Sequence, residues 1–173
     1  MSAIQTISAG KSAIIQIDSR EQCPLEFGGH PFEVVGLPCG DYGLAGFSDW
    51  SNPAFICERK SLEDLISSLT SGRERFMREI ERLRRFRFGA ILIEARRETV
   101  QAGEYRSNAT PQSILASIDA IIVRTGVHVF WCSDHEGAAN QFLSLTRQFE
   151  RGIEKNYKRL LSFRMESAND RHA

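Results

Sequence analysis

The stretch GDYGLAGFSDWSNPAFICERKSLEDL, residues 40–65, sets Asp41 ahead of Glu58 and Lys60, with Asp64 four residues beyond the lysine. Side chains alternate across a strand, so Glu58 and Lys60 share one face of a strand through this region while Arg59 takes the other. The end of an adjacent strand can bring Asp41 beside Glu58. Two or three carboxylates converging there repel one another unless a cation intervenes. All-oxygen ligands favour Mg²⁺ or Mn²⁺ over zinc. Such an ion polarises a phosphoryl oxygen and lowers the pKa of a bound water, and Lys60 is placed to position that water or meet developing negative charge. The chemistry these residue types imply is hydrolysis of a phosphodiester.

The elements that must position this set can be read from the pattern. AIIQID, residues 13–18, is a short apolar run that delivers Asp18 at its C-terminal end. FEVVGLP predicts a second strand around residues 32–37, and PAFICERK a third, because Phe55, Ile56 and Cys57 suit a sheet interior. A Gly/Ser/Asn/Pro loop lies between them. Ser61 then caps a short helix that ends near Ser71 and Gly72, with Asp64 as its capping-box partner. Phe76, Ile80 and Leu83 mark a longer helix from about Arg73 to Phe86, followed by the buried strand FGAILIEA. Thr110, Pro111 and Gly126 frame another helix, VHVFWC is a strand, and apolar positions from Ala138 to Leu160 step by three or four along a terminal helix. Strands alternating with helices behind a strand-rich opening predict an α/β sandwich with a mixed sheet between helical layers.

At 173 residues the chain fits one domain. We expect residues 1–12 to be an extension, 13–163 the folded domain and 164–173 a frayed tail. The 22 basic and 22 acidic residues cancel, so any basic surface for nucleic acid must be local. The four cysteines lack a CxxC pair and the four histidines lack zinc spacing, which makes reduced thiols the default. No stretch approaches the apolar length of a membrane helix, and no charged leader precedes an apolar run, so a soluble intracellular protein is expected, cytoplasmic if bacterial or phage-derived.

The order of an acid, then after a hairpin an acid, any residue and a lysine resembles the PD-(D/E)XK nucleases. IQIDSRE, GDY, ERKSLEDLISSL and SGR together resemble the nuclease-domain motifs of the XPF-type structure-specific endonucleases, over roughly residues 13–95. The resemblance implies a restriction-endonuclease-like three-layer sandwich. It makes Asp41 and Glu58 the core metal ligands, Asp18 an additional acidic site residue, Lys60 catalytic, and Arg59 part of the catalytic set. Arg20, Glu21 and Asp64 complete or brace the site. The implied cofactor is Mg²⁺, with Mn²⁺ possible, and the implied substrate is branched, flapped or fork-like DNA in repair or recombination. The chain departs from many relatives in showing no Gly-centred helix-hairpin-helix module after residue 131, so substrate selection falls to the nuclease domain or a partner. The family also contains non-catalytic DNA-binding or dimerisation subunits. Those lose the acids and the lysine, which this chain keeps.

Bland explanations compete at several positions. Asp64 is fully explained by capping, and His135 with Glu136 is better explained by capping at a helix start than as an acid/base pair. The arginines at 73, 75, 78, 82, 84, 85 and 87 make either a solvated face with ion pairs or a phosphate-contact surface. Arg73, in the family's GR, and Arg75 are the candidate DNA contacts. Phe47 and Trp50 either stack on an unpaired base or pin their loop. The apolar stripes of SILASIDAIIV and the terminal helix exceed what one sheet face needs, which predicts a homodimer or pairing with a partner nuclease subunit.

Overall fold

Ile and Leu side chains with no charge before Glu94 let Phe88–Glu94 run through the interior of a sheet, where both faces are covered. In this computed structural model, which describes residues 11–169 with Ile4 and Ile7, and side chains to Ser162, that segment is one of six strands in a mixed sheet. In chain order the elements are β1 (Ile15–Asp18), β2 (Phe32–Val35), β3 (Tyr42–Leu44), β4 (Ser48–Asp49), β5 (Asn52–Pro53) and β6 (Phe55–Ser61). There follow α1 (Leu62–Leu69), α2 (Arg73–Leu83), β7 (Phe88–Glu94), α3 (Arg97–Gln101), α4 (Pro111–Thr125), β8 (His128–Trp131) and α5 (His135–Asn169). The sheet order is β2-β1-β3-β6-β7-β8, with β3 antiparallel to β1 and β6 and the other neighbours parallel.

Strand alternation sorts the core into two layers. Ile56, Ile91 and Ile93 pack under α1, α2, α3 and α4, with Leu65, Ile80 and Ile118 among the buried helical residues. Phe55, Cys57, Ala90 and Leu92 point the other way, against Ala138 and Phe142 of α5 and against Tyr42. The α/β sandwich expected from the sequence is the architecture observed. The Gly/Ser/Asn/Pro loop is more ordered than its composition implies. It contains β3 and a β4–β5 hairpin, because Asp49 Oδ1 accepts from the backbone N–H groups of Ser51 and Asn52, and the Asn52 amide donates to Gly46 O. The helix α3 had no signal in the sequence. Five residues are too few for a periodic stripe, and only Val100 is buried.

Helix caps follow their residues. Ser61 Oγ accepts from the Asp64 N–H and donates to the Asp64 carboxylate, and Thr110 Oγ1 accepts from the Ser113 N–H ahead of Pro111. The cap of α5 is Asp134, whose Oδ1 accepts from the Gly137 N–H at 2.7 Å. His135 does not cap the helix, contrary to the sequence expectation. The inner faces of α4 and α5 are spent on the chain's own sheet, which leaves Ile122 and Val123, the latter 84% exposed, with Leu160 and Leu161 as the outward apolar residues. The helix α5 reaches Asn169 and so takes in part of the expected tail, while residues 170–173 and most of the expected 1–12 extension lie outside the described residues. No described helix is long and apolar enough to cross a membrane, and all four cysteines are unpaired.

Gly40 is the one glycine on which the approach to the acidic cluster turns. Its φ is +69°, and a Cβ there would lie 2.8 Å from Ile56 Cγ1 and 2.9 Å from the Cys57 carbonyl oxygen. Both the left-handed backbone and the close strand approach exclude a side chain. Gly40→Ala should destabilise the protein by about 2 kcal/mol or more and displace the following residue. Denaturant unfolding would read this directly, and wild-type stability would show that the turn relaxes at no cost.

Candidate active site

The antiparallel register of β3 and β6 pairs Tyr42 with Cys57 and so sets Asp41 opposite Glu58. Asp41 is held by its backbone on both sides. Its N–H donates to Cys57 O at 2.9 Å, and its carbonyl accepts from the Asp18 N–H at 2.8 Å. Its side-chain Oδ2 accepts from the Arg59 backbone N–H at 2.8 Å. Glu58 is buried, and Lys60 on the same face of β6 donates from Nζ to Glu58 Oε1 at 2.6 Å. The same ammonium lies 3.5 Å from Glu79 Oε2 and 5.3 Å from the centre of the Phe76 ring, both on α2. Asp41, Glu58, Lys60 and Glu79 therefore form one cluster at the C-terminal end of β6.

The other expected site residues are arranged around this cluster in different ways. Asp18 is buried, but its carboxylate accepts from Arg20 N, Nε and Nη2 and from the Leu37 N–H at 2.6–2.9 Å. Four donors occupy its acceptor positions, so it does not join Asp41 and Glu58 as an open oxygen ligand. Among the described residues no three His, Cys, Asp or Glu side chains gather closely enough to hold a metal ion. Asp18, the third acid expected from the sequence, is the one whose carboxylate is held by the Arg20 and Leu37 hydrogen bonds. Arg59 points to the opposite face, as alternation requires, where its guanidinium bonds Glu21 and Glu94. Asp64 stays at its helix cap, hydrogen-bonded to Ser61.

Glu79, Glu94 and His135 escaped sequence reasoning. Glu79 follows Phe76 by three residues and so shares a helix face with it, but only the packing of α2 on β6 brings that face to Lys60. Glu94 carried a usable signal, since it ends a buried parallel strand at the C-terminal edge, where groups of open α/β sheets collect. His135 Nδ1 lies 2.6 Å from Glu94 Oε1, a contact between residues 41 positions apart.

Charge in this cluster is confined. Burial pushes the Asp41 carboxyl up to about 6, against the opposing effect of the Arg59 N–H. Burial and the nearby Asp41 raise Glu58 well above the usual carboxylate range, and the Lys60 ammonium offsets only part of that. Burial lowers Lys60, but Glu58 and Glu79 outweigh it, so the amine is held protonated. Asp18 differs: burial is opposed by the Arg20 and Leu37 hydrogen bonds, which leave it lowered. Asp41 and Glu58 are therefore short of positive charge, and no donor among the described residues reaches Asp41 Oδ1 or Glu58 Oε2. This hard, anionic oxygen pair fits a divalent ion that keeps most of its water, the mode in which Mg²⁺ is bound by one or two carboxylates plus substrate phosphate.

The arginine-rich helix divides. Arg78 pairs with Glu74 at 2.5 Å and Arg84 with Glu81 at 3.1 Å, as a solvated face would. Arg73 and Arg75 are exposed at the start of α2, with Arg73 only 3.4 Å from the Ser117 hydroxyl. Phe47 is buried against Phe149 and serves to pin its loop. Trp50, 47% exposed, leans on Phe86 with the Arg85 guanidinium 5.9 Å from its ring.

A mixed six-stranded sheet flanked by helices, with this acid-acid-lysine cluster at a strand end, is a restriction-endonuclease-like fold of the XPF nuclease type. The ERCC4 domain family profile matches residues 17–145, and the chain belongs to that family. Among solved structures, XPF from Aeropyrum pernix is 25% identical over 78% of this chain, with a TM-score of 0.62. The same protein in a complex with DNA is 25% identical over 81% of this chain, with a TM-score of 0.64. The matches cover 60% and 66% of those chains. No curated protein matches the chain.

The raised Asp41 carboxyl has a consequence for stability. Between pH 3.8 and about 6 the folded chain keeps a proton on Asp41 that the unfolded chain has released, so stability falls as pH rises through this window. The loss is about 3 kcal/mol above pH 6. Asp41→Asn keeps the acceptor for the Arg59 N–H and removes the charge. In metal-free buffer it should melt several degrees above wild type at pH 7.5 and match it near pH 4. Equal melting temperatures at both pH values would show that Asp41 is not confined as described.

Proposed function

We propose that this chain is a metal-dependent endonuclease that hydrolyses DNA phosphodiester bonds, with branched, flapped or fork-like DNA as its substrate, in repair or recombination. The single observation that carries the reading is the pairing of half-buried Asp41 with buried Glu58, both short of positive charge, around a protonated Lys60. Asp41 and Glu58 would hold a divalent ion, Mg²⁺ in the first instance or Mn²⁺, and that ion would supply an activated water and a charge clamp on the phosphate. Lys60 is placed to orient the nucleophile or meet developing charge on the phosphate. Arg59 holds Asp41 by its backbone, and Asp18, Arg20 and Glu21 brace the strand ends. The likeness to XPF from Aeropyrum pernix in complex with DNA supports DNA as the partner. The alternative, a non-catalytic DNA-binding or dimerisation subunit, is disfavoured because Asp41, Glu58 and Lys60 are all present and assembled.

Asp41→Asn and Lys60→Ala should each reduce Mg²⁺-dependent cleavage of a flap or fork by at least about a hundredfold. Calorimetry should show Mg²⁺ or Mn²⁺ binding weakened in the first variant and retained in the second. Wild-type cleavage by both would sink the assignment, and a panel of flap, fork, duplex and RNA substrates identifies the preferred nucleic acid.

Arg73 and Arg75 are proposed as phosphate contacts. Reversing both charges should weaken DNA binding alike across sequences and flatten its dependence on salt. An unchanged salt slope would return this end of α2 to a purely solvated role. Association of two copies, or of one copy with a partner subunit, is proposed through the outward Ile122, Val123, Leu160 and Leu161. Light scattering at micromolar concentration should give a dimer mass, and a concentration-independent monomer mass rejects self-association.

A further inference from the structure

Behind the acid-lysine cluster, on the opposite face of the sheet, lies a second polar group, two of whose members, Glu94 and His135, the proposed chemistry does not use. Arg59, whose side chain is 13% exposed, sends Nε and Nη2 to Glu21 at 3.1 and 3.0 Å and Nη1 to Glu94 at 3.1 Å. The two carboxylates grip the planar guanidinium from different elements, which fixes its orientation as well as its charge. Glu94 Oε1 in turn meets His135 Nδ1 at 2.6 Å, and His135 Nε2 lies 3.3 Å from the Pro24 carbonyl. The loop after β1, the ends of β6 and β7, and the first residue of α5 are joined through these four side chains.

The backbone that delivers His135 is unusual. Ser133 has a φ of +69°, the one positive φ among the described non-glycine residues. Such a conformation persists only where surrounding structure holds it, and it is a reason to look for a role nearby. Here the Cys132 and Ser133 N–H groups donate to Ile93 O and Ala95 O on either side of Glu94. A Cβ on Gly137 would lie 1.7 Å from Cys132 O, so the first turn of α5 is pressed onto the strand end. The strained junction holds the His135 ring against Glu94.

We propose that Glu94 and His135 are positioning residues for Asp41. They keep the Arg59 side chain clamped behind the sheet, so that the Arg59 backbone N–H stays aimed at Asp41 Oδ2. The link is short: the amide that holds the Asp41 carboxylate belongs to the residue whose side chain is clamped. Without Glu94 or His135, a guanidinium held by Glu21 alone is free to reorient, and the Arg59 backbone loses one of the restraints that fix the aim of its N–H. Asp41 then presents its open oxygen less consistently, and a divalent ion binds less tightly. The effect on metal rests on the nuclease reading above. The effect on the amide does not.

Two readouts separate the possibilities, made on the whole chain with His135→Ala, His135→Asn and Glu94→Gln. The first is hydrogen exchange at the Arg59 amide in metal-free protein. The second is the Mg²⁺ concentration for half-maximal cleavage, with kcat measured at saturating Mg²⁺. His135→Ala should speed exchange at Arg59 and raise the Mg²⁺ requirement about tenfold, with kcat at saturation within about twofold of wild type. His135→Asn, whose side-chain amide can donate from near the position of Nδ1, should restore both. Glu94→Gln, which keeps the shape and removes the charge, should behave like His135→Ala and guards against that variant failing to fold. Wild-type exchange at Arg59 in both His135→Ala and Glu94→Gln overturns the proposal. So does a rise in Mg²⁺ requirement that His135→Asn shares in full. If no form of the protein cleaves DNA, the nuclease reading fails, and the exchange measurement still decides the clamp.

Discussion

Two carboxylates held against each other in a poorly solvated strand end set the conditions for everything around them. The β3–β6 register puts Asp41 opposite Glu58, and burial removes the water that would otherwise separate their charges. An arrangement of this kind persists only if a cation, a proton or both offset the repulsion. In the metal-free chain the Lys60 ammonium is the nearest cation, and its contacts to Glu58 and Glu79 show why α2 must lie where it does. The cluster is thus costly to the fold, and the remaining structure has to restrain it.

The two faces of β6 divide that labour. Glu58 and Lys60 face the layer of α1 and α2, where Phe76 and Glu79 enclose the lysine. Arg59 faces the layer of α5, where Glu21 and Glu94 hold it. A single tripeptide therefore carries the acid and lysine of the candidate site on one side and a brace on the other, with the backbone N–H of its middle residue holding Asp41. Asp18 belongs to the restraint as well. Its carboxylate is saturated by Arg20 and the Leu37 N–H, which ties the end of β1 to the segment leading into Gly40 and Asp41.

The helix α2 joins the site to the proposed DNA surface. Its inner positions, Phe76, Ile80 and Leu83, are buried, Glu79 meets the lysine, and Arg73 and Arg75 remain outward at its first turn. Ion pairs neutralise other arginines of the same segment. A protein with no net charge can thus still present a local basic edge beside an anionic cluster, an arrangement suited to a substrate held by its phosphates.

Local sequence determined much of this by itself. The period-2 pattern of PAFICERK put Glu58 and Lys60 on one face and Arg59 on the other. Ser61 with Asp64, and Thr110 with Pro111, marked helix starts through hydrogen bonds that span three residues. These features depend on near neighbours, so composition and spacing carry them. The order of Asp41, Glu58 and Lys60 made the site legible for the same reason. Other features depended on contacts between distant segments, and only the tertiary structure decided them. Asp18 has the same residue type as Asp41, but Arg20 and Leu37 close its carboxylate while Asp41 keeps an open oxygen. Glu79 and Glu94 are ordinary acids in sequence, and become part of the cluster and its brace only when α2 and β7 pack beside β6. His135 looked like a helix start, but Asp134 caps the helix, and the left-handed turn at Ser133 swings the ring onto a strand 41 residues away. Long-range packing sets which of several similar carboxylates keeps an open oxygen, and no local pattern in the chain encodes it.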